Sequence, residues 1–363
     1  SPPSPTSRRT TMVIDSFSFY SEYHGHKIAH LTSLLPLLRD ASDGLIWTAG
    51  DSSLDNKYWF SDKAPAVGAY KDILRPPTSK CDVTYWLNYL AESRFREQQG
   101  IHNLSKQGSR WATINTAVEA TTLNQRTFRL TSQDKFLRDN IQPNDVLIVS
   151  IGGNDVALCP TPCTILSMAG IMRCLPTYVI EHECSCCAVP MDDYCCGCGS
   201  SLVSCLGSCP PCFGYFRHLF GTRVEKYIKA LTSKTKPKKI LVCMIYNLDE
   251  NVTPSWAGPA LGALNYNSNP EKLQMLIRKM YKEATSRIKI QGCEVVPVPL
   301  FQALDGRDSS DYVARVEPSA KGGRKMAEFL LDIIGNKSET QQNSGIDGMA
   351  VMPPSTSLIT ERM

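Results

Sequence analysis

Five short apolar runs alternate along this chain with longer helical patterns, and that alternation constrains its fold more than any other feature. The runs are rich in β-branched residues and lie at about residues 45–49, 101–105, 145–151, 239–246 and 294–301. Most are continuous rather than alternating, as expected for strands covered on both faces. The helical patterns lie at residues 22–40, 82–98, 219–232, 270–288 and 319–334. We therefore predict an α/β fold in which a parallel sheet has right-handed crossovers and helices on both faces.

The composition is that of an ordinary globular protein. With 363 residues, 42% of them hydrophobic and 20% charged, the chain can bury a sizeable core in one domain plus an insertion. A formal net charge of +4 is small for this length and argues against a nucleic-acid partner. The sequence contains no run of about 18 apolar residues, so it predicts no transmembrane helix.

We predict a main domain at residues 13–335, between a disordered leader at 1–12 and a disordered tail at 336–363. The leader is rich in Pro, Ser and Thr and lacks the apolar stretch of a secretory signal. The tail is rich in Ser, Thr, Asn, Gln and Gly. These patterns favour a cytoplasmic location, while secretion after removal of an earlier signal stays open as an alternative.

Small polar clusters follow two of the apolar runs directly. Gly50-Asp51-Ser52 follows the first run, and Gly152-Gly153-Asn154-Asp155 follows the third. The carboxyl ends of parallel strands meet at one edge of a sheet, where ligands of such folds bind. A serine held there is a candidate nucleophile, and the two clusters together indicate one composite site.

These residues, with Gly108 after Asn103-Leu104, resemble blocks I, II and III of the SGNH/GDSL hydrolases. The resemblance implies a three-layer α/β/α sandwich with a five-stranded parallel sheet in flavodoxin-like order, and a small-molecule or lipid ester as substrate. It implies that Ser52 attacks the ester carbonyl. The oxyanion hole would then consist of the Ser52 and Gly108 backbone N–H groups and the Asn154 side-chain amide. Such fixed donors stabilise the charge of a tetrahedral intermediate, and this chemistry needs no cofactor in the main domain.

The last block of the family, Asp-x-x-His-Pro-Ser, is altered here. The matching stretch is Ala314-Arg315-Val316-Glu317-Pro318-Ser319, so Glu317 takes the position of the general base and Ala314 that of its orienting partner. A serine hydroxyl needs an adjacent base. Glu317 could serve if burial raised its pKa, whereas its place before a helix N-terminus is expected to lower that pKa. Asp311, the nearest acid upstream, is expected in a solvated loop.

Two other interpretations stay open. A distant histidine could enter the site; His24, His26 and His218 are expected nearer to it than His102, and surface or packing roles are the expectation for each. Alternatively, the protein is a pseudoenzyme that binds a ligand in the retained pocket.

Twelve of the fifteen cysteines fall in a predicted insertion at residues 159–212. The insertion begins directly after Asn154-Asp155 and is therefore expected to act as a lid over the site. Three states are open for its thiols: zinc ligation, disulfides, or acylation that gives peripheral membrane contact. A membrane-associated adaptor is the corresponding third function. The candidate zinc ligands are Cys184, Cys186, Cys195, Cys198, Cys209 and Cys212. Outside the insertion, Cys81, Cys243 and Cys293 are expected to be buried small hydrophobes.

Overall fold

A computed structural model of the protein describes residues 13–98, 109–174, 176–181 and 213–335. Its central sheet has five strands: β1 (Ser42–Gly50), β2 (Ser109–Asn115), β3 (Val146–Ser150), β4 (Lys239–Met244) and β5 (Glu294–Pro299). All four pairings are parallel, in the order β2-β1-β3-β4-β5. The predicted flavodoxin-like sheet is confirmed.

Helices cover both faces of the sheet, so the fold is the predicted three-layer sandwich. Successive residues of a strand point to opposite faces, and the continuous apolar runs therefore supply two cores. Leu147 and Val149 of β3 pack in one core with helix Ile28–Ala41. Ile148, between them, packs in the other with helices Val83–Gln98 and Ala320–Gly335.

The remaining α-helices have 14 residues or fewer, and several lie in the connections between strands. The α-helices are Ser16–Ser21, Tyr70–Ile73, Leu123–Arg126, Ser132–Asn140, Gly153–Ala157, Pro162–Ala169, Thr177–Glu181, Phe213–Arg217, Val224–Leu231, Gly258–Ala263 and Pro270–Glu283; the π-helical stretches are Gly170–Cys174 and His218–Arg223. Three pairs of two-residue strands complete the fold: Ile14–Asp15 with Leu74–Arg75, Ala64–Pro65 with Thr78–Ser79, and Tyr312–Val313 with Glu317–Pro318. Within the described ranges, no helix is both long and apolar enough to cross a membrane.

The second strand of the sheet differs from the prediction. Residues 101–105 lie outside the described residues, and the observed strand β2 begins only at Ser109. The sequence did not predict β2 because several of its buried residues are polar. These residues form hydrogen bonds to other groups inside the protein, which the sequence pattern does not show. The Thr113 backbone N–H donates to Asn88 Oδ1 at 2.8 Å, and Thr48 Oγ1 donates to Asn115 Oδ1 at 2.8 Å.

The first part of the predicted insertion belongs structurally to the main domain. Helices Pro162–Ala169 and Thr177–Glu181 bury Met168 and Ile180 in the core. Lys272 Nζ from the main domain donates to the Met172 carbonyl at 2.6 Å. The predicted lid residues 182–212, the leader 1–12 and the tail 336–363 lie outside the described residues.

Candidate functional site

A tight turn at the end of β1 places Ser52 at the carboxyl edge of the sheet. Gly50 has φ +130°, and a Cβ added there would lie 1.7 Å from the Ser150 carbonyl oxygen, so only glycine fits. The Asp51 N–H donates to that carbonyl at 3.1 Å. The N–H groups of Leu54 and Asp55 donate to the Asp51 carbonyl, each at 3.1 Å, and close a helical turn around Ser52.

Asp51 stabilises this turn. Its Oδ1 accepts the Ser53 backbone N–H at 3.1 Å and the Ser53 hydroxyl at 2.8 Å. Burial raises the pKa of Asp51 to about 6, and the bonds from Ser53 oppose that rise. Asp51 therefore shapes the turn.

Three of the four predicted site residues line one cavity of about 90 Å³. Its polar lining residues are Asp51, Ser52, Ser53, Asn154, Tyr246 and Glu317. The rest of the wall is mostly apolar and includes Val156, Ala157, Ile245, Leu248, Trp256, Leu264, Leu273, Ile277 and Val316. The cavity therefore presents a hydroxyl, an amide and a carboxyl to a small apolar space.

Asn154 is held in place by the connection that follows β2. It lies in helix Gly153–Ala157, and its Nδ2 donates to the Thr121 carbonyl at 3.1 Å. The neighbouring Asp155 accepts the N–H groups of Leu123 at 2.7 Å and Asn124 at 3.0 Å. The Asn154 amide uses one N–H in this bond and has a second to donate.

Gly108 lies outside the described residues, so the donor role that the family resemblance implies for it stays a prediction. The observed strand β2 begins directly after it, at Ser109. Ser109 pairs with Ser42, at the end of β1 opposite Gly50. At the Ser52 edge, β2 is followed instead by residues 116–122, where the Val118 N–H donates to the Gly50 carbonyl at 3.0 Å.

Ala120, in that connection, was missed by the sequence analysis. Its φ is +57°, a left-handed conformation that non-glycine residues rarely adopt. The N–H groups of Ala120 and Ser52 bind no acceptor within the described residues. A glycine at this position would have indicated a left-handed turn in the sequence, but the sequence has alanine. Two backbone donors are thus free near the carboxyl edge.

Glu317 is held rigidly by a two-strand hairpin. Val313 pairs with Glu317, and the chain reverses through Ala314 and Arg315, whose φ values are +49° and +70°. The buried Arg315 donates to the Asp249 carbonyl at 3.1 Å. On the far side, Asn56 Nδ2 donates to the Pro318 carbonyl at 2.8 Å. The Glu317 carboxyl is consequently fixed beside Ser52 and is 5% exposed.

Burial raises the pKa of Glu317 to about 8, and the nearby acids Glu119 and Asp51 raise it further. A hydrogen bond from the Ser52 hydroxyl opposes this rise. The expectation that the following helix would lower the pKa is wrong: that helix begins only at Ala320, and loss of water outweighs its dipole.

None of the three histidines expected nearer to the site lines the cavity. His24 is exposed, with Nδ1 3.2 Å from the Glu119 carbonyl oxygen. His26 is buried against Phe19, whose carbonyl lies 3.0 Å from its Nδ1. His218 lies in a buried π-helical stretch. Within the described part of the chain no histidine lines the cavity, and His102 lies outside that part.

Two further acidic residues differ from expectation. Asp311 is buried and pairs with Lys325 Nζ at 2.6 Å, so it is not a solvated loop residue. Glu119, which the sequence analysis missed, is 1% exposed and follows β2 at the site edge. Glu119 is placed at this edge only by the observed position of β2, because a single glutamate in a loop has no sequence pattern that marks it as a site residue.

The four cysteines whose side chains the structure describes are unpaired thiols. Cys243 is buried as expected, Cys81 and Cys293 are half-buried, and Cys159 is exposed. The six candidate zinc ligands all lie outside the described residues. Among the residues that are described, no three His, Cys, Asp or Glu side chains form a group that could hold a metal ion.

Comparison with known proteins found no matching protein-family model and no matching curated protein. Solved structures do resemble the chain. An acetylxylan esterase from Geobacillus stearothermophilus is 11% identical, with 82% of this chain and 96% of that one covered at a TM-score of 0.39. A GDSL-like lipase from Bacteroides thetaiotaomicron is 10% identical, with 88% and 98% covered at a TM-score of 0.36. An extracellular lipase from Streptomyces rimosus is 13% identical, with 80% and 98% covered at 0.35.

Proposed function

We propose that this protein is a serine hydrolase that cleaves carboxylic esters, with Ser52 as nucleophile and Glu317 as general base. The single observation that carries the proposal is that Ser52, Asn154 and Glu317 line the same cavity at the carboxyl edge of the sheet. Each of these three residues lies in a different connection that follows a strand, and local hydrogen bonds hold each of them in place. A hydroxyl, a base and an amide donor are the groups that acyl transfer requires.

In the proposed reaction, Ser52 Oγ attacks the ester carbonyl while the Glu317 carboxylate accepts the hydroxyl proton. The Ser52 N–H and the Asn154 amide donate to the oxyanion, and the Gly108 N–H stays the predicted third donor. Glu317 then returns the proton to the leaving alcohol. Water, activated by the same carboxylate, releases the acid and restores the serine.

The raised pKa of Glu317 supports its role as base. An ordinary glutamate, with a pKa of 4.5, is a weak base for a hydroxyl. A general base works best when its pKa lies near the working pH. With a pKa of about 8, Glu317 is a stronger base once ionised, so we expect the rate to rise with pH through this value.

The cavity supports a small substrate. A volume of about 90 Å³ holds only a few water-sized groups, and most of its wall is apolar. We therefore expect esters with short acyl chains to react faster than long-chain esters. Zinc, disulfides or acyl groups in the cysteine-rich insertion stay predictions, to be checked by metal analysis and thiol counting.

A fluorophosphonate probe tests the proposal directly. We expect it to label the wild type increasingly between pH 6 and 9, and to leave Ser52→Ala unlabelled. Ser53→Ala is the matched control, since it removes a neighbouring hydroxyl of the same turn. Absence of labelling at every pH would overturn the hydrolase and favour the ligand-binding pseudoenzyme.

A further inference from the structure

Glu119 is a buried acid for which the proposed reaction has no use so far. It is 1% exposed, and within the described residues its carboxyl oxygens make no well-aligned hydrogen bond, not even with the nearby indole N–H of Trp59. Its backbone N–H donates to Asp55 Oδ2 at 3.0 Å, which fixes the residue at the site edge. A carboxyl buried without partners is costly to keep charged, so its presence beside a reaction site calls for a function.

Glu317 has the same character. Its Oε2 is also buried without a partner within the described residues. Each of the two carboxyls is thus desolvated. Two consecutive residues of the turn after β1 hold both acids: Asp55 accepts the Glu119 N–H at 3.0 Å, and Asn56 donates to the carbonyl of Pro318, the residue after Glu317, at 2.8 Å. Two neighbouring acids that share a dry site cannot both ionise easily, and their protons leave in separate steps.

We propose that Glu119 and Glu317 form a coupled acid pair that retains one proton in the working pH range and supplies the proton transfers for which a serine hydrolase ordinarily uses an imidazole. The inference rests on the proposed function of Ser52 and Glu317. Glu119 is a positioning residue in this pair: it does not touch the substrate but sets the charge of Glu317.

The surrounding charges fit this arrangement. Asp55, which accepts the Glu119 N–H, forms a fully buried ion pair with Lys57, 2.6 Å long. Burial and Asp55 raise the pKa of Glu119 to about 8, while Lys57, Trp59 and Lys80 oppose that rise.

The other groups that face the pair add negative charge or are neutral. Asp51 and Asp55 raise the pKa of Glu317 in addition to Glu119. Tyr23 and Tyr246 also interact with Glu317, and both phenols have raised pKa values, chiefly through burial.

One proton retained by Glu119 and Glu317 together is enough to balance every proton transfer of the reaction. Before attack, Glu119 holds the proton and Glu317 is a carboxylate. As the bond from Ser52 Oγ to the acyl carbon forms, Glu317 takes the hydroxyl proton, and the pair holds two. When the ester C–O bond breaks, Glu317 gives one proton to the leaving alcohol oxygen. Deacylation repeats the sequence, with water as the proton source and Ser52 Oγ as the acceptor.

Carboxyl titration followed by ¹³C NMR, on full-length protein with labelled glutamate, tests the pair without any substrate. We expect two glutamate carboxyls of the wild type to titrate above pH 4.5, in separate steps. The signal of Glu119 should be absent from Glu119→Gln, and that of Glu317 should be absent from Glu317→Gln. In Glu119→Gln, the remaining carboxyl should titrate about one pH unit lower or more. Glu328→Gln, an exposed glutamate paired with Arg324, is the control. If Glu317 titrates at the same pH with and without Glu119, the pair is refuted.

Fluorophosphonate labelling over a range of pH supplies the second readout. In Glu119→Gln, the midpoint of the labelling rate should move to lower pH, and Glu119→Asp should restore the wild-type midpoint. An unchanged midpoint in Glu119→Gln overturns the inference. If no variant is labelled, the Ser52 hydrolase fails, while the NMR titration still decides whether the pair exists. If Glu119→Gln does not fold, the wild-type titration still tests the pair. Ordinary pKa values near 4.5 for both Glu119 and Glu317 would refute it.

Discussion

Replacing Glu317 by glutamine should make the protein more stable in alkaline solution and leave it nearly unchanged in acid. Glutamine has almost the same shape as a protonated glutamate but never ionises. The buried site therefore accepts both side chains equally well at low pH, where Glu317 carries no charge. The variants differ only when the wild-type carboxyl is forced to lose its proton.

The sign follows from the raised pKa. The folded protein holds the Glu317 proton more tightly than the unfolded chain, with a pKa of about 8 against the ordinary 4.5. The stability gained from this proton is complete below pH 4.5 and is lost as the pH rises through 8. The difference of about 3.5 pH units, at about 1.4 kcal/mol each, sets an upper value of about 5 kcal/mol. Removing Glu317 also eases ionisation of Glu119, so the measured gain includes their coupling.

Urea unfolding under reducing conditions, at pH 5 and pH 9, measures the effect. We expect Glu317→Gln to match the wild type within about 1 kcal/mol at pH 5 and to exceed it by several kcal/mol at pH 9. Glu328→Gln removes a carboxylate from the exposed surface and should show no comparable gain. Equal differences between Glu317→Gln and wild type at both pH values would refute burial as the cause.

Three other substitutions test the turn, the amide donor and a buried ion pair. Gly50→Ala should cost more than about 3 kcal/mol in urea unfolding, because its Cβ would meet the Ser150 carbonyl at 1.7 Å; a loss below 1 kcal/mol would contradict this. Asn154→Ala should slow fluorophosphonate labelling by about 10²–10³-fold without loss of folding, and an unchanged rate would exclude it as an oxyanion donor. Arg126→Met should cost about 3–5 kcal/mol, since it leaves the fully buried Asp134, 3.0 Å away, without its cation. Adding Asp134→Asn should recover part of that loss, and no recovery would argue against the pair.

The sequence predicted the sheet well where the strands bury apolar side chains on both faces. β1, β3 and β4 were found for this reason, and β5, whose side chains are mostly half-buried, was found from its valine-rich run; all four differ from the prediction only at their ends. β2 escaped because the buried Thr113 and Asn115 satisfy their polar groups with partners distant in the chain. Gly108 precedes β2 and lies outside the described residues, so its role as an oxyanion donor stays a prediction.

Some residues of the candidate site could likewise be predicted from the sequence, and others could not. Ser52 and Asn154 lie in short polar clusters directly after apolar strands, so local sequence was enough to select them. Glu317 was found only because it occupies a position where the family resemblance expects histidine. Glu119 and Ala120 carry no local signal, since a charged loop residue and an alanine have many ordinary uses.

The sequence by itself determined the layered architecture and the glycine-dependent turn that presents Ser52, because strand periodicity and backbone sterics are local properties. Only the tertiary structure decided the charge of the acids around that serine. A carboxyl pKa depends on how much water is excluded and on which other charges lie nearby. Glu119 and Glu317 come together only when the connection after β2 and the hairpin before the last helix pack at one edge of the sheet.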